Sequence, residues 1–558
     1  MRTPDEIVNQ ILAHRGVIGL VEFFSDRPRT TYDPFLLPGM EEGAALVHRH
    51  VAEGKRICVY GDYDVDGVLS VTLLTGFLES LPGVSRENLS WYIPSRFDDG
   101  FGLNMGAIEQ IRRAGADLLI TVDCGVAYAR EVDAAMKAGM DVVVTDHHEP
   151  DPDALPLSPT IDPKMRDSAY PFKELCGCGV AFKLAQAIRL RYYPDDMSVR
   201  AALNAALDLV AVATVADVMP LTDENRTMVK YGLKAFNART RWQLAELADA
   251  VGLKTGEISA YNIAFVVAPH LNAAGRMGDA APVVDLFKTD DRETAAGIIG
   301  DLIERNAERR AEQDVSFRAC VEIIEEKYAS ECVMLVKPLR VHEGVAGIVA
   351  GKIKEKYNRP AIVLSESEED GERVLKGSAR SVAGVDITSL LRGHAELFIR
   401  YGGHAKAAGF TLRSENEDAL REALRADVGA LLARDPSLFS PSREVDADIL
   451  PEEASLNLAR MLEKFEPTGE GNPKPVLRLT SRTPKSVRRM GPEGRHLKFS
   501  VDGLDCVLFA RGDESADLPP GGGSLDFYGS LDVNRWNGRE SVQFIVRQAV
   551  CSESPKLD

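Results

Sequence analysis

Apolar runs of strand length recur along the early part of the chain, and each ends in acids. Val51–Gly67, VAEGKRICVYGDYDVDG, closes on Asp62, Asp64 and Asp66; Ala116–Gly125, ADLLITVDCG, closes on Asp123; Asp141–Glu149, DVVVTDHHE, closes on Asp146, His147 and His148. Helix-like stretches such as VLSVTLLTGFLESL and AYAREVDAAMKAGM separate them. Buried strands alternating with helices predict a doubly wound parallel sheet, whose ligands gather outside the carboxyl ends of the strands. All of these acids and histidines fall there. Alternation along an extended DYDVDG segment predicts that Asp62, Asp64 and Asp66 share one face, where like charges crowd unless a cation sits among them. Asp and Gly also punctuate ordinary strand-to-helix turns, so one such run is weak; three in succession are not.

A fourth apolar segment, Leu207–Leu221, LDLVAVATVADVMPL, carries two isolated acids. Buried carboxylates need partners. Asp208 suits a helix N-cap or a hydrogen bond, whereas Asp217 at the far end suits a metal.

Farther along, the pattern changes twice. Residues 226–330 are helical in period, above all DDRETAAGIIGDLIERNAERRAEQDVSFRACVEIIEEKY, which predicts a rigid strut; inside this region PHLNAAGRMGDA predicts a flexible loop presenting Arg276 between Gly275 and Gly278. From 331 to 435 a strand, helix and strand (ECVMLV, GVAGIVAGKIKEKYN, RPAIVLS) are followed by a strand near VLKGSAR and a helix ending at GGHAKAAGF. Gly402 and Gly403 there let backbone N–H groups approach an anion, with His404 as an added donor. From about 440 the runs shorten (VLRLTS, LKFSVD, LDCVLFA, LDFYGSLDV, SVQFIVRQA) between turns, the signature of a small β-barrel of OB type.

The order GDYDVDG, TVDCG, TDHH and ATVADVMP resembles the four motifs of the DHH phosphoesterases. PHLNAAGRMGDA, KGSARS and GGHAKAAGFTL add a resemblance to the RecJ branch of that family, covering most of the chain from Val51 onward. The resemblance implies an α/β protein laid out as an N-terminal lead-in (1–45), a DHH catalytic domain (46–225), a long helical connector (226–330), a smaller α/β DHH-associated substrate-binding domain (331–435) and a C-terminal OB-like barrel (440–555). It implies a 5′ to 3′ exonuclease that hydrolyses single-stranded DNA to 5′-mononucleotides in repair and recombination. By the same resemblance Asp64, Asp66, Asp123, His147 and Asp217 hold two divalent ions, Asp62, Asp146 and His148 complete the catalytic pocket with His148 facing the scissile phosphate, and Arg96, Asn272, Arg276, Ser378, Arg380, Gly402, Gly403 and His404 bind substrate.

The residues point to the same chemistry on their own. Carboxylates with water suit Mg²⁺ or Mn²⁺, and an imidazole among them favours Mn²⁺. Two ions about 3.5–4 Å apart activate water and stabilise both the attacking and leaving oxygens of an in-line displacement. No G-x-x-x-x-G-K-[ST] string occurs.

Composition adjusts this picture. A net charge of −19 argues at first against a nucleic-acid partner, but binding depends on where cations cluster, and Gly471–Ser500 carries eight Lys and Arg against the single acid Glu493. Among nearby aromatics, Phe499, Phe509, Phe527 and Tyr528 alternate as core residues do, leaving Trp536 and the basic side chains as candidate contacts. Eight scattered cysteines, including the pair in CGCG, read as reduced thiols. The N-terminus lacks the pattern of a targeting segment, and nowhere do about 18 uncharged apolar residues run together; a cytoplasmic enzyme without a membrane contact is the simplest reading. A helicase and a single-strand-binding protein are partners implied by the resemblance alone. Competing readings are a DHH phosphodiesterase or phosphatase on short oligonucleotides or cyclic dinucleotides, an inactive replication scaffold, and a pure single-strand-binding module.

Overall fold

The computed structural model describes residues 1–96, 102–254, 256–369, 371–440, 444–509, 524–536 and 538–551. The chain forms two compact units, one of residues 1–92, 102–268 and 443–558, the other of residues 93–101 and 269–442.

In the first unit five strands, β1 (Ile57–Gly61), β2 (Leu89–Tyr92), β3 (Leu118–Val122), β4 (Asp141–Thr145) and β5 (Thr160–Ile161), form a sheet in the order β2-β1-β3-β4-β5 with every pair parallel. Alternation distributes their side chains. Cys58, Tyr60, Leu119, Val142 and Val144 meet the apolar faces of the Met105–Arg113 and Ala129–Lys137 helices, and the opposite face is covered by the Met40–Ala52, Val65–Glu79 and Gly177–Tyr192 helices. Strands buried on both sides read as continuous hydrophobic runs, which is why β1 and β3 carry no polar alternation. The ligand-bearing ends of β1, β3 and β4 therefore open on one edge.

The expected extended DYDVDG segment is corrected. β1 ends at Gly61, and Asp64 caps a helix that begins at Val65, its carboxylate accepting the Gly67 N–H at 3.1 Å. Asp66 consequently lies in the first helical turn and not on a strand. Gly67 makes the tight turn possible, because a Cβ there would stand 2.4 Å from the Asp62 carbonyl oxygen.

Met197–Ala216 is apolar and long enough to span a membrane by composition. It is two helices meeting at Ala206, and Leu209 to Ala213 are buried in the first unit. Asp208 within it is fully buried, accepting the Leu209 N–H at 2.7 Å and pairing with Arg241 Nε at 3.2 Å, so this is a core segment with a satisfied charge.

The second unit holds β6 (Met334–Val336), β7 (Ala361–Glu369), β8 (Glu372–Arg380), β9 (Phe398–His404) and β10 (Ala407–Arg413) in the order β6-β7-β8-β10-β9. The expected strut appears as the 32-residue Arg292–Ile323 helix, packed on the Glu343–Tyr357 helix of this unit. Two expectations are corrected here. PHLNAAGRMGDA is not a loop at Arg276: the helix Ala268–Met277 carries it, since Ala273, Ala274 and Gly275 are small enough to be buried and one glycine does not break a well-packed helix. GGHAKAAGF is not preceded directly by a helix; the helix is Ile387–Arg392, and GGH ends β9 in a hairpin with β10.

The C-terminal part of the first unit is a seven-stranded sheet, β11 (Ala447–Asp448), β12 (Leu477–Arg482), β13 (Lys485–Met490), β14 (His496–Val501), β15 (Leu504–Leu508), β16 (Leu525–Trp536) and β17 (Arg539–Cys551), ordered β11-β12-β16-β17-β15-β14-β13. Ile7, Val8, Ile11 and Leu12 of the N-terminal Pro4–His14 helix complete its core, so this first helix of the lead-in packs as part of the barrel. Phe499, Phe527 and Tyr528 are buried as expected, Phe509 is exposed against His496, and the Trp536 side chain lies outside those described. The basic stretch is less cationic than its composition: Lys474 pairs with Asp532, Arg478 with Asp448, Arg482 with Asp502 and Lys498 with Asp505, all acids brought in from elsewhere in the barrel. The barrel is joined to the sheet domain by Arg226, whose buried guanidinium donates to the carbonyls of Phe465, Glu466, Pro467 and Phe23 at 3.0–3.2 Å.

Candidate metal centre

Three sets of ligand atoms lie within 4.8 Å of one another at the carboxyl edge of the parallel sheet: Asp62, Asp64 and Asp123; Asp66, His147 and Asp217; and Asp123, His147 and His148. They come from several turns. Asp62 and Asp64 follow β1, Asp66 opens the next helix, Asp123 follows β3, His147 and His148 follow β4, and Asp217 ends the Leu207–Ala216 helix. His147 Nε2 is the hub, at 3.1 Å from Asp123 Oδ1, 3.7 Å from Asp217 Oδ2 and 3.8 Å from Asp66 Oδ2.

Two of these turns carry backbone strain. Asp123 has φ 59° and Val218, next to Asp217, has φ 58°. The left-handed region is tolerable for Asp and unfavourable for a β-branched residue, so packing must hold Val218 there.

Burial and mutual repulsion push the acids up. Asp66 rises to about 7 through burial and the charge of Asp64, and Asp123 and Asp217 rise well above the usual carboxylate range through burial and the surrounding aspartates. Asp123 Oδ1 is buried and, among the described residues, accepts no hydrogen bond. A hard-oxygen cage with one imidazole, its carboxylates buried and crowded together, is a donor set that fits Mn²⁺ or Mg²⁺.

Asp146 has a different task. Its Oδ2 accepts the Val126 N–H at 2.9 Å and its Oδ1 accepts the His147 N–H at 2.7 Å, while His148 Nδ1 lies 2.7 Å from Oδ1. Burial alone would raise it, but these donors and the histidine charges hold it below its ordinary value. Burial likewise opposes charge on His148, yet the bond to Asp146 prevails and pushes its pKa up to about 9. Asp146 thus orients the His147–His148 pair and keeps His148 cationic.

Two supports escaped the sequence reading. Asp66 Oδ2 and Oδ1 accept the N–H groups of Gly177 at 2.6 Å and Cys178 at 2.8 Å, at the N-terminus of the Gly177–Tyr192 helix, an electropositive end suited to a carboxylate. The CGCG string therefore positions a ligand rather than merely supplying thiols; glycines directly after an N-cap residue were the available signal. Asp162, just past β5, is fully buried beside Asp146, and burial together with that charge raises it to about 8. Its neighbours in TIDPK gave no hint, since β5 is only two residues long.

The substrate-binding candidates all fall in the second unit. Asn272 and Arg276 are one helical turn apart on one face of their helix, and Arg276 Nη1 donates to the Gly344 carbonyl at 3.2 Å. Register places Ser378 in line with Gly409 and Gly402, and Arg380 in line with Ala407 and His404, so Ser378, Arg380, Gly402 and His404 share one sheet face. Gly403 sits between them on the alternate face, with φ 139° and no room for a Cβ beside the Ala407 carbonyl. Burial and the charge of Arg96 both lower the pKa of Arg380.

Residues 56–214 match the N-terminal domain of the DHH family, 327–430 the DHHA1 domain and 445–548 the RecJ OB domain. Proteins named single-stranded-DNA-specific exonuclease RecJ are similar throughout: that of Thermus thermophilus is 36% identical, covering 93% of this chain and 72% of its own, and that of Dickeya dadantii 32% identical, covering 97% and 96%. The Bacillus subtilis protein is 34% identical over 96% of this chain, which spans 66% of that longer relative. The crystal structure of T. thermophilus RecJ in complex with Mn²⁺ superposes with a TM-score of 0.82 over 98% of this chain and 76% of that one, and its Mg²⁺ complex with 0.77 over 98% and 75%.

Proposed function

Because the chain belongs to the RecJ family of DHH phosphoesterases, we propose that it is a two-metal exonuclease that removes 5′-mononucleotides from the 5′ end of single-stranded DNA. The observation carrying this reading is the ring of aspartates around His147 Nε2, at 3.1–3.8 Å from three different carboxylates.

Asp62, Asp64 and Asp123 form one ligand set, and Asp66, His147 and Asp217 the other, with Asp123 near both. Bound Mn²⁺ or Mg²⁺ supplies an activated water and Lewis acidity at the phosphoryl oxygens. The protein does the rest. Asp66 is aimed by two backbone N–H groups, His147 by the acids about it, and cationic His148, held by Asp146, offers a donor to the charge that grows on the phosphate. Ser378, Arg380 and His404, with Arg96 and the open backbone of Gly402 and Gly403, form a surface suited to a terminal phosphate, and Asn272 and Arg276 to the adjoining backbone. The barrel adds exposed basic residues on β13 and exposed Phe509 for contact with unpaired nucleotides. A cytoplasmic setting, work in repair and recombination, and a helicase and single-strand-binding protein as partners complete the reading.

The test presents 5′- and 3′-labelled single strands, the matching duplex and a dinucleotide to the protein with Mn²⁺. Release of labelled mononucleotide from the 5′-labelled single strand, with the duplex spared, is expected. Preferential cleavage of the dinucleotide with the long strand untouched would overturn the proposal in favour of a small-substrate phosphodiesterase.

A further inference from the structure

The Lys164 side chain has no ion-pair or hydrogen-bond partner among the described residues, although its backbone lies at the edge of the metal centre. It lies two residues beyond Asp162, at the same carboxyl edge of the sheet that carries the ligands; Ile161 pairs with Thr145, and the Asp146 N–H donates to the Ile161 carbonyl at 3.1 Å. The backbone here is pinned, because fully buried Asp162 accepts the Lys164 N–H at 2.7 Å. The half-exposed Lys164 side chain makes no ion pair or hydrogen bond among the described residues. Its charge nevertheless acts on both Asp162 and the metal-site residue Asp217.

A purely structural lysine beside so many carboxylates closes onto one of them, as Lys183 does on Glu224 at 2.9 Å. Lys164 makes no such closure among the described residues, and its ammonium, carried on a backbone pinned at the ligand-bearing edge of the sheet, is open to something else that is anionic. A phosphodiester entering the centre brings one negative charge and gains more in the transition state, and a lysine is a flexible point charge suited to a phosphate oxygen. We propose that Lys164 is a further catalytic residue, ion-pairing with a non-bridging oxygen of the phosphodiester seated at the metal centre. This rests on the phosphodiesterase reading above and adds a residue to it.

The test compares wild type with Lys164→Ala and Lys164→Arg on single-stranded DNA and, in parallel, on bis(p-nitrophenyl) phosphate, together with Mn²⁺ affinity by calorimetry. Lys164→Ala is expected to lose on the order of 10- to 100-fold in kcat/KM, chiefly in kcat, with Lys164→Arg regaining much of the loss. Mn²⁺ binding should be unchanged or tighter, because a repelling cation has left the neighbourhood of Asp217. Unchanged kcat/KM in Lys164→Ala, or a loss matched by weaker Mn²⁺ binding, would overturn the contact. Wild-type hydrolysis of the small diester but not of DNA would instead overturn the exonuclease reading, while the Lys164 variants remain decisive on the small diester.

Discussion

The backbone N–H of Gly177 reaches Asp66 Oδ2 at 2.6 Å across 111 residues of chain. That bond requires the helix N-terminus to press directly on the metal-site acids, and it leaves no space at position 177: a Cβ would stand 2.5 Å from the Asp123 Cβ and 2.6 Å from its Oδ1.

Gly177→Ala should therefore push Asp123 and Asp66 apart. We expect overpacking to cost about 1–3 kcal/mol in stability, and displacement of the ligands to lower kcat/KM by about 10²-fold. Gly179→Ala is the control. The atoms nearest its Cβ would be those of Leu175 and Cys176 at 3.5–3.7 Å, an ordinary van der Waals contact, so its activity and melting temperature should match or exceed wild type. Equal behaviour of the two variants in steady-state kinetics would contradict the packing argument.

Asp123→Asn separates fold from chemistry. Asparagine keeps the shape and tolerates φ 59°, while removing one charge from a group of mutually repelling acids. The metal-free variant is expected to melt at or above the wild-type temperature, yet to show no phosphodiester cleavage and weaker Mn²⁺ uptake. Chelation should likewise abolish wild-type turnover without unfolding the chain. A variant with normal turnover would remove Asp123 from the ligand set.

Much of this centre was legible because it depends on local chemistry: acids at the ends of apolar runs, and two histidines after a third. What was not legible depends on distance. The Gly177 and Cys178 donors to Asp66 lie far off in sequence, and the acids that pair with Lys474, Arg478 and Lys498 arrive from other strands, so counting charges along 471–500 overstated the free cation. Arg276 illustrates a third cause. Two glycines suggested a loop, but burial of Ala273, Ala274 and Gly275 outweighed the weak local preference and kept the segment helical.

Arg276 now projects from a helix with Asn272 a turn away, a rigid placement for a phosphate contact. Arg276→Ala should weaken single-strand binding and flatten the plot of log affinity against log salt by about 0.7. Filter binding with Ca²⁺ in place of Mn²⁺ measures this, and an unaltered slope would count against a phosphate contact.

His148 gives the apo-protein a signature in alkali. Its folded pKa, about 9, lies above the ordinary 6.5 because Asp146 holds the charged ring. The resulting stability is fully present below about 6.5 and is lost as pH rises through 9. Melting of wild type and His148→Gln without metal, followed from about pH 6 to 10, should show a gap that narrows over that window. A gap that stays constant across it would mean that the ring is not held charged.

The N-terminal helix predicts a dependence that its position in the sequence conceals. Ile11 is fully buried among barrel residues, and the helix is tied down at both ends, by Arg2 on Glu453 at 2.7 Å and by Arg15 on Asp446 at 2.6 Å. Ile11→Ala removes buried methyl groups from the barrel core at a cost of about 2–5 kcal/mol. The metal centre is built from other residues and should keep its Mn²⁺ affinity. Arg2 holds Glu453 down to about 2, below its ordinary 4.5, so this tie contributes stability above about 4.5 that is lost as pH falls toward 2. Hydrogen exchange would locate both effects: faster exchange in β12, β14 and β16 with β1, β3 and β4 unaffected is expected, whereas uniform acceleration across the first unit would show that the barrel and the sheet unfold as one body.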